Sequence, residues 1–315
     1  MNWKIKIGFL LLIFSACSSE NSRESEKENR GEAPTVSNYL IEVDEFKRMV
    51  NRPTSKLLDF RKKEDYETGH IKGALPIWRT DIEDQSYPYT GMMASPAQVE
   101  SLFSNLGIAS TDTIIIYDDN GLCNATRLWW ILQNYDFTNV KLFEGGLTEW
   151  AADGGLVSTD TPVLQKAIFK LSENPSMKYF VSKEEMQQAI QTNTVILDTR
   201  SLDEFVGKRQ KEGAAKAGRI INSVHIDWAE AINFHTDKKI KSLEALESIY
   251  GQLQIGKEDP IIVYCHSGVR SAHTTFVLTQ VLKYKNVKNY DGSWTEWSYY
   301  SDLPFEIDHL TQTIN

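Results

Sequence analysis

Ile261-Ile262-Val263-Tyr264-Cys265-His266-Ser267-Gly268-Val269-Arg270-Ser271-Ala272 decides the fold, because the chain carries the pattern twice: Ile114-Ile115-Ile116-Tyr117-Asp118-Asp119-Asn120-Gly121-Leu122-Cys123-Asn124-Ala125 aligns with it without a gap. The same register lays Glu144-Gly145-Gly146-Leu147-Thr148-Glu149-Trp150 onto Asp291-Gly292-Ser293-Trp294-Thr295-Glu296-Trp297. Upstream, Leu57-Leu58-Asp59-Phe60-Arg61 matches Ile196-Leu197-Asp198-Thr199-Arg200 at a smaller offset, so the second copy has gained an insertion. Residues 208–218, rich in Lys, Ala and Gly, read as that insertion.

Each copy alternates two kinds of segment. The apolar runs 56–60, 113–117, 195–199 and 260–264 have the length and composition of buried strands, whereas 125–135, 183–190 and 271–283 have helical spacing or length. Ser182 followed by Glu185 forms a capping box that marks a helix start. Such alternation predicts an α/β fold: two domains, each a parallel sheet flanked by helices on both faces. The predicted organisation is a signal at 1–16, a tether at 17–37, a first domain at 38–160, a linker at 161–177 and a second domain at 178–312.

Ligands of parallel sheets gather at the carboxyl ends of the strands, which is where Cys265 falls. A tight loop with inward amides, the start of a helix and Arg270 would all favour a thiolate there and would hold an anionic substrate. Gly268 suits a chain that bends sharply. The first copy has Asp118 where the second has Cys265, a carboxylate expected to repel an anion, so it reads as scaffold and as one wall of a cleft. Cys123 aligns with Arg270 and reads as a packing residue.

Lys4 and Lys6, the apolar run 7–14 and then Ser15-Ala16-Cys17 have the layout of a secretory signal, too short to cross a bilayer permanently. The ending Phe14-Ser15-Ala16-Cys17 resembles a bacterial lipoprotein signal, which implies lipidation at Cys17, a membrane contact through that lipid alone and a place in the cell envelope. Residues 18–36 are polar and suit a tether. Without residues 1–16 the chain has 32 basic and 43 acidic side chains, a balance of −11 that argues against nucleic acid as a partner. Any small anion must therefore rely on a local positive site. The six His and three Cys show no metal-ligand spacing, and no metal or organic cofactor is expected.

These residues resemble the rhodanese superfamily, specifically its tandem-domain thiosulfate and 3-mercaptopyruvate sulfurtransferases. Leu58-Asp59-Phe60-Arg61, Tyr66 and Gly69-His70-Ile71-Lys72-Gly73-Ala74 look like the opening signature, and Met92-Met93-Ala94-Ser95-Pro96 is similar to another family segment. Gly218-Arg219-Ile220-Ile221-Asn222-Ser223 departs from the signature, with Arg219 for its histidine and Asn222 for its second glycine. The resemblance implies that Cys265 takes a sulfane sulfur from a small anionic donor, becomes a persulfide and passes the sulfur to cyanide or a thiol. It also implies that His266, Ser267, Gly268, Val269 and Arg270 surround the donor, and that Arg200 helps to bind it. Asp198, two residues before Arg200, leaves open a purely structural ion pair.

Arg270 follows Cys265 after four residues, one fewer than in the related phosphatases and arsenate reductases, which favours sulfur transfer over oxyanion chemistry. Ser267 resembles the serine in the loop of the 3-mercaptopyruvate enzymes, which implies that donor, whereas Arg270 suits thiosulfate through fork-like hydrogen bonds; thiosulfate is the expected donor. A persulfide carrier with little turnover is the alternative from another functional class.

Overall fold

The computed structural model describes Met1 and residues 37–308. The signal, Cys17 and nearly all of the tether lie outside the described residues. Two five-stranded sheets dominate, every pairing within them parallel. In the first, the spatial order is Leu40–Ile41, Val140–Phe143, Thr113–Tyr117, Ser55–Asp59, Leu75–Pro76. In the second, Phe180–Val181, Val287–Tyr290, Ile261–Tyr264, Val195–Asp198 and Ser223–His225 follow the same order, so the sequence repeat is a repeat of topology.

Strand register locates the insertion. Leu58 pairs with Leu75, and its counterpart Leu197 pairs with Val224, so the copies are 139 residues apart before Arg200 and 149 after Arg219. A short antiparallel pair closes each domain, His70–Ile71 with Val157–Ser158 and Arg219–Ile220 with Phe305–Glu306. The departing turn of the second copy is preserved: Asn222 holds φ 61° where Gly73 holds 87°, a left-handed conformation that Asn tolerates better than most side chains.

Alternation along the strands sorts side chains to the two faces. Ile115 and Tyr117 meet Phe46, Met49 and Trp150 of the helices Val43–Val50 and Gly146–Ala152. Ile114 and Ile116 meet Val99, Phe103 and Leu128 of the helices Pro96–Asn105 and Cys123–Asn134. The second sheet repeats this, with Met186, Trp294 and Trp297 on one face and Leu246, Tyr250 and Phe276 on the other.

The core is continuous between the domains. Cys123–Asn134 packs against its counterpart Val269–Phe276, with Trp129 edge-on to Phe276 at 4.9 Å, and all twelve of its residues are buried. Its amide, hydroxyl and guanidinium side chains are tolerated there because they are partnered, whereas the Trp129 indole N–H is buried without a partner among the described residues. Asn134 Nδ2 donates to the Trp130 carbonyl, Gln133 Nε2 to the Phe137 carbonyl, Thr126 Oγ1 to the Leu122 carbonyl, and Arg127 pairs with Asp291.

Candidate active site

Cys265 stands at the end of the central strand of the second sheet, before a helix that begins at Val269 rather than near Ser271. Its side chain is buried, but its surroundings are polar. Ser271 Oγ donates to Sγ at 3.3 Å, and the amides of Ser271 and Ser267 donate to it as well. Burial pushes the thiol up; the charge of Arg270 and these hydrogen bonds outweigh burial and hold it below its ordinary value. The loop is pinned from beneath by Ser293, whose Oγ accepts from the amides of Cys265 and Gly268, each at 3.1 Å, and donates to the Tyr290 carbonyl. Ser293 pays for this with φ 50°, a strained conformation where the first copy has Gly146 at 54°.

The first copy shows what this loop shape binds. The Asp118 carboxylate, at the place of Cys265, accepts from the amides of Asn120, Leu122, Asn124 and Ala125 at 2.8 to 3.0 Å. The loop is thus a cradle of backbone N–H groups that closes around a negative charge. Asp118 was expected to repel an anion; instead it fills the cradle itself. The charged residues lining the cleft beside it, Asp119, Glu149, Asp237 and Lys238, are mostly acidic, which does not suit an anionic donor.

Two arginines are placed differently from expectation. Arg270 does not present its fork to a ligand: Nη1 and Nη2 donate to the two carboxylate oxygens of Glu204 at 2.7 and 2.9 Å. Its charge still acts on Cys265, and the pair holds Glu204, despite its burial, far below the usual carboxylate range. Arg200 directs its hydrogen bonds away from the loop. Its Nε and Nη2 donate to Asp198, Nη2 also donates to the Gly218 carbonyl at 2.8 Å, and the guanidinium lies 4.8 Å from the centre of the Trp294 ring. In the first copy, Arg61 donates in the same way to Asp59 and to the Gly69 carbonyl. The same arrangement in the copy without a thiol makes the ion pair of Arg200 with Asp198 a feature of the fold.

His266 is buried; Nε2–H donates to the Glu212 carbonyl at 2.9 Å, and burial, then Lys211 and Arg270, push its pKa down to about 4. It is a neutral donor at neutral pH. His273, buried edge-on to Trp228, is pushed down to about 3 by burial. Both rings are neutral when folded and gain protons on unfolding below their ordinary value of 6.5, so the stability they contribute is complete above pH 6.5 and lost as pH falls towards about 4 and 3. Each ring is expected to steepen the acid limb by up to about 1.4 kcal/mol per pH unit. Urea unfolding across that window should show a shallower slope for His273→Phe; an unchanged slope would contradict the buried neutral state.

Ser267 and Gly268 lie under the first domain. A Cβ on Gly91, whose φ is 101°, would come within 2.5 Å of the Ser267 Cβ. Gly268 has φ 76°, and a Cβ there would meet Arg127 Nη1 at 2.7 Å and the Asp291 carbonyl at 2.8 Å. Arg127 Nη1 donates to the Gly268 carbonyl at 3.4 Å, and Nη2 donates to the Gly91 carbonyl and to Asp291. Val269 packs with Cys123, Trp228 and Ile232, and burial pushes the Cys123 thiol up to about 12. Cys123 and Cys265 are both free thiols.

Glu204, Ser271, Ser293 and Arg127 were missed by the sequence reading. Glu204 carried a signal, as the last residue of a Ser201-x-x-Glu204 capping box, and the box is present. Among the described residues, no group of three or more His, Cys, Asp or Glu side chains is placed to hold a metal, and no helix is long and apolar enough to cross a membrane.

The rhodanese-like domain family matches residues 42–153 and 182–299. A "Putative thiosulfate sulfurtransferase" of Mycolicibacterium smegmatis is 33% identical over 279 residues, spanning 86% of this chain and 98% of its own. A protein of the same name from Mycobacterium tuberculosis is 35% identical over 249 residues, covering 77% and 87%. Among solved structures, an anaerobic ergothioneine biosynthesis enzyme from Chlorobium limicola superposes with a TM-score of 0.70 at 21% identity, over 82% of this chain and 65% of that one. At that identity the likeness concerns the fold alone. The twinned sheets, the thiol in an amide cradle and these relatives lead to one assignment: the chain belongs to the rhodanese-like family, as a sulfurtransferase enzyme built from two rhodanese-like domains.

Proposed function

We propose that this protein moves a sulfane sulfur from thiosulfate to a thiophilic acceptor through a persulfide on Cys265. The observation that carries the reading is the cradle: the amides of Ser267 and Ser271 turn towards Sγ as those of Asn120 and Asn124 turn towards the Asp118 carboxylate. In the first step the Cys265 thiolate attacks the outer sulfur of thiosulfate, the sulfur–sulfur bond of the donor breaks, and sulfite leaves with the electron pair. The terminal sulfur then carries the negative charge in the cradle, where the amides and Ser271 hold it. Cyanide or a thiolate attacks that sulfur, the Cys265–sulfur bond breaks, and the thiolate is regenerated. The names of the relatives favour thiosulfate as donor.

Incubation with thiosulfate is expected to raise the mass of the intact protein by one sulfur atom, and cyanide to remove it as thiocyanate. Cys265→Ser should abolish both. Absence of the added sulfur in the unaltered protein would refute the persulfide route, and uptake without sustained thiocyanate formation would indicate a carrier. We further propose that Cys17 is lipidated and tethers the enzyme to a membrane of the cell envelope. Loss of membrane fractionation in Cys17→Ser is the expected result, and an unchanged membrane fraction would refute the anchor.

A further inference from the structure

We propose that Lys211, carried on the insertion of the second domain, and Arg79 of the first domain form a subsite that takes the charged end of the sulfur donor. This rests on the sulfurtransferase reading above and adds the residues that would meet the donor's charge. The cation nearest Cys265 in sequence is already engaged, because Glu204 fills both arms of the Arg270 fork. The chain as a whole is acidic. An anionic donor therefore needs positive charge from elsewhere.

The insertion is seated on the loop. The carbonyl of Glu212, the residue after Lys211, accepts from His266, the residue after Cys265. Ala215 N donates to Ser298 Oγ, Trp294 Nε1 donates to the Lys216 carbonyl, and a turn from Ala214 N to the Lys211 carbonyl fixes the backbone at Lys211. Lys211 is half-buried, and among the described residues its ammonium has no hydrogen-bond or ion-pair partner. Its neighbours differ: Lys208 pairs with Asp203, and Lys216 donates to the Tyr300 carbonyl. Burial weakens the ammonium, and the charges of Arg270, Glu204, Cys265 and Arg79 all act on it.

Arg79 reaches the same region from the other domain. Its Nε and Nη2 donate to Asn124 Oδ1 at 2.9 and 2.7 Å, a neutral partner, and among the described residues it makes no ion pair. Its charge acts on both Cys123 and Lys211. Lys211 and Arg79, neither held in a salt bridge among the described residues, thus carry positive charge beside a loop whose own arginine has both arms of its fork filled by Glu204. The sulfonate-like end of thiosulfate, or the carboxylate of 3-mercaptopyruvate, has the chemistry they would bind.

Lys211→Met is expected to raise the KM for thiosulfate by about tenfold, the worth of one charge-assisted hydrogen bond. Lys211→Arg should restore most of it. A second measurement needs no turnover: the rate of Cys265 alkylation by anionic iodoacetate divided by that by neutral iodoacetamide. That ratio is expected to fall about fivefold or more in Lys211→Met and again in Arg79→Met. An unchanged ratio in both variants overturns the subsite. Failure of the unaltered protein to take sulfur from thiosulfate or 3-mercaptopyruvate would instead strike the functional reading, while the alkylation ratio still decides the subsite.

Discussion

Arg270→Met is expected to slow sulfur loading of Cys265 at neutral pH by about tenfold or more, because less of the thiol is thiolate once its largest anion-stabilising charge is removed. The direction follows from the balance at Sγ. Burial pushes the thiol up, and Arg270 is the largest of the influences that pull it down. Without that guanidinium, Ser271 and the amides of Ser267 and Ser271 are left to oppose burial, and the thiol moves back up. The pH profile of iodoacetamide alkylation should shift to higher pH. The variant also leaves Glu204 buried without its partner, and breaking a buried ion pair costs about 3–5 kcal/mol. A double variant, Arg270→Met with Glu204→Gln, separates the effects: stability should largely return, whereas reactivity should not. Alkylation of the double variant at the wild-type rate would show that Arg270 matters only as a packing partner.

Much of this fold was legible because the chain states it twice. The triplet Ile114-Ile115-Ile116 is uninformative alone, since a continuous apolar run fits a helix or a strand. Its alignment with Ile261-Ile262-Val263, each copy followed by a glycine-containing loop and a helical stretch, fixes it as a buried parallel strand. Sequence could not show that Cys123–Asn134 would be buried on every side. Arg127, Gln133 and Asn134 look like a solvated face until Asp291, Phe137 and Tyr179, distant in sequence or beyond the helix, supply their partners.

The site divides in the same way. Cys265 and its loop are local and could be read directly, whereas the partner of Arg270 is 66 residues away. The resemblance assigned Arg200 to the donor and left open its pairing with Asp198; the structure shows that pairing, and Asp59 and Arg61 repeat it beside a loop that has no thiol. Ser293 was hidden because its role depends on a strained backbone angle, which sequence does not display.

Arg127→Met is expected to cost about 3–5 kcal/mol of stability and to impair catalysis from the domain that carries no nucleophile. Arg127 and Asp291 are almost wholly buried and meet at 2.6 Å, and Asp291 Oδ2 also accepts from the Met93 amide of the first domain. The guanidinium lies 4.8 Å from the centre of the Trp130 ring and reaches the carbonyls of Gly91 and Gly268. Removing it strands the Asp291 charge and deprives the Gly268 carbonyl of one of its two side-chain donors, the other being Asn289 Nδ2. Gly268 precedes the helix whose start faces Cys265, so a loosened carbonyl there frees the backbone that aims the cradle amides. Arg127→Met with Asp291→Asn should recover part of the stability, because the stranded charge is gone, but not the turnover, because the carbonyl still lacks that donor. Thermal unfolding and thiocyanate formation, measured on both variants, test this. Full activity in a stable double variant would show that the first domain covers the loop without holding it.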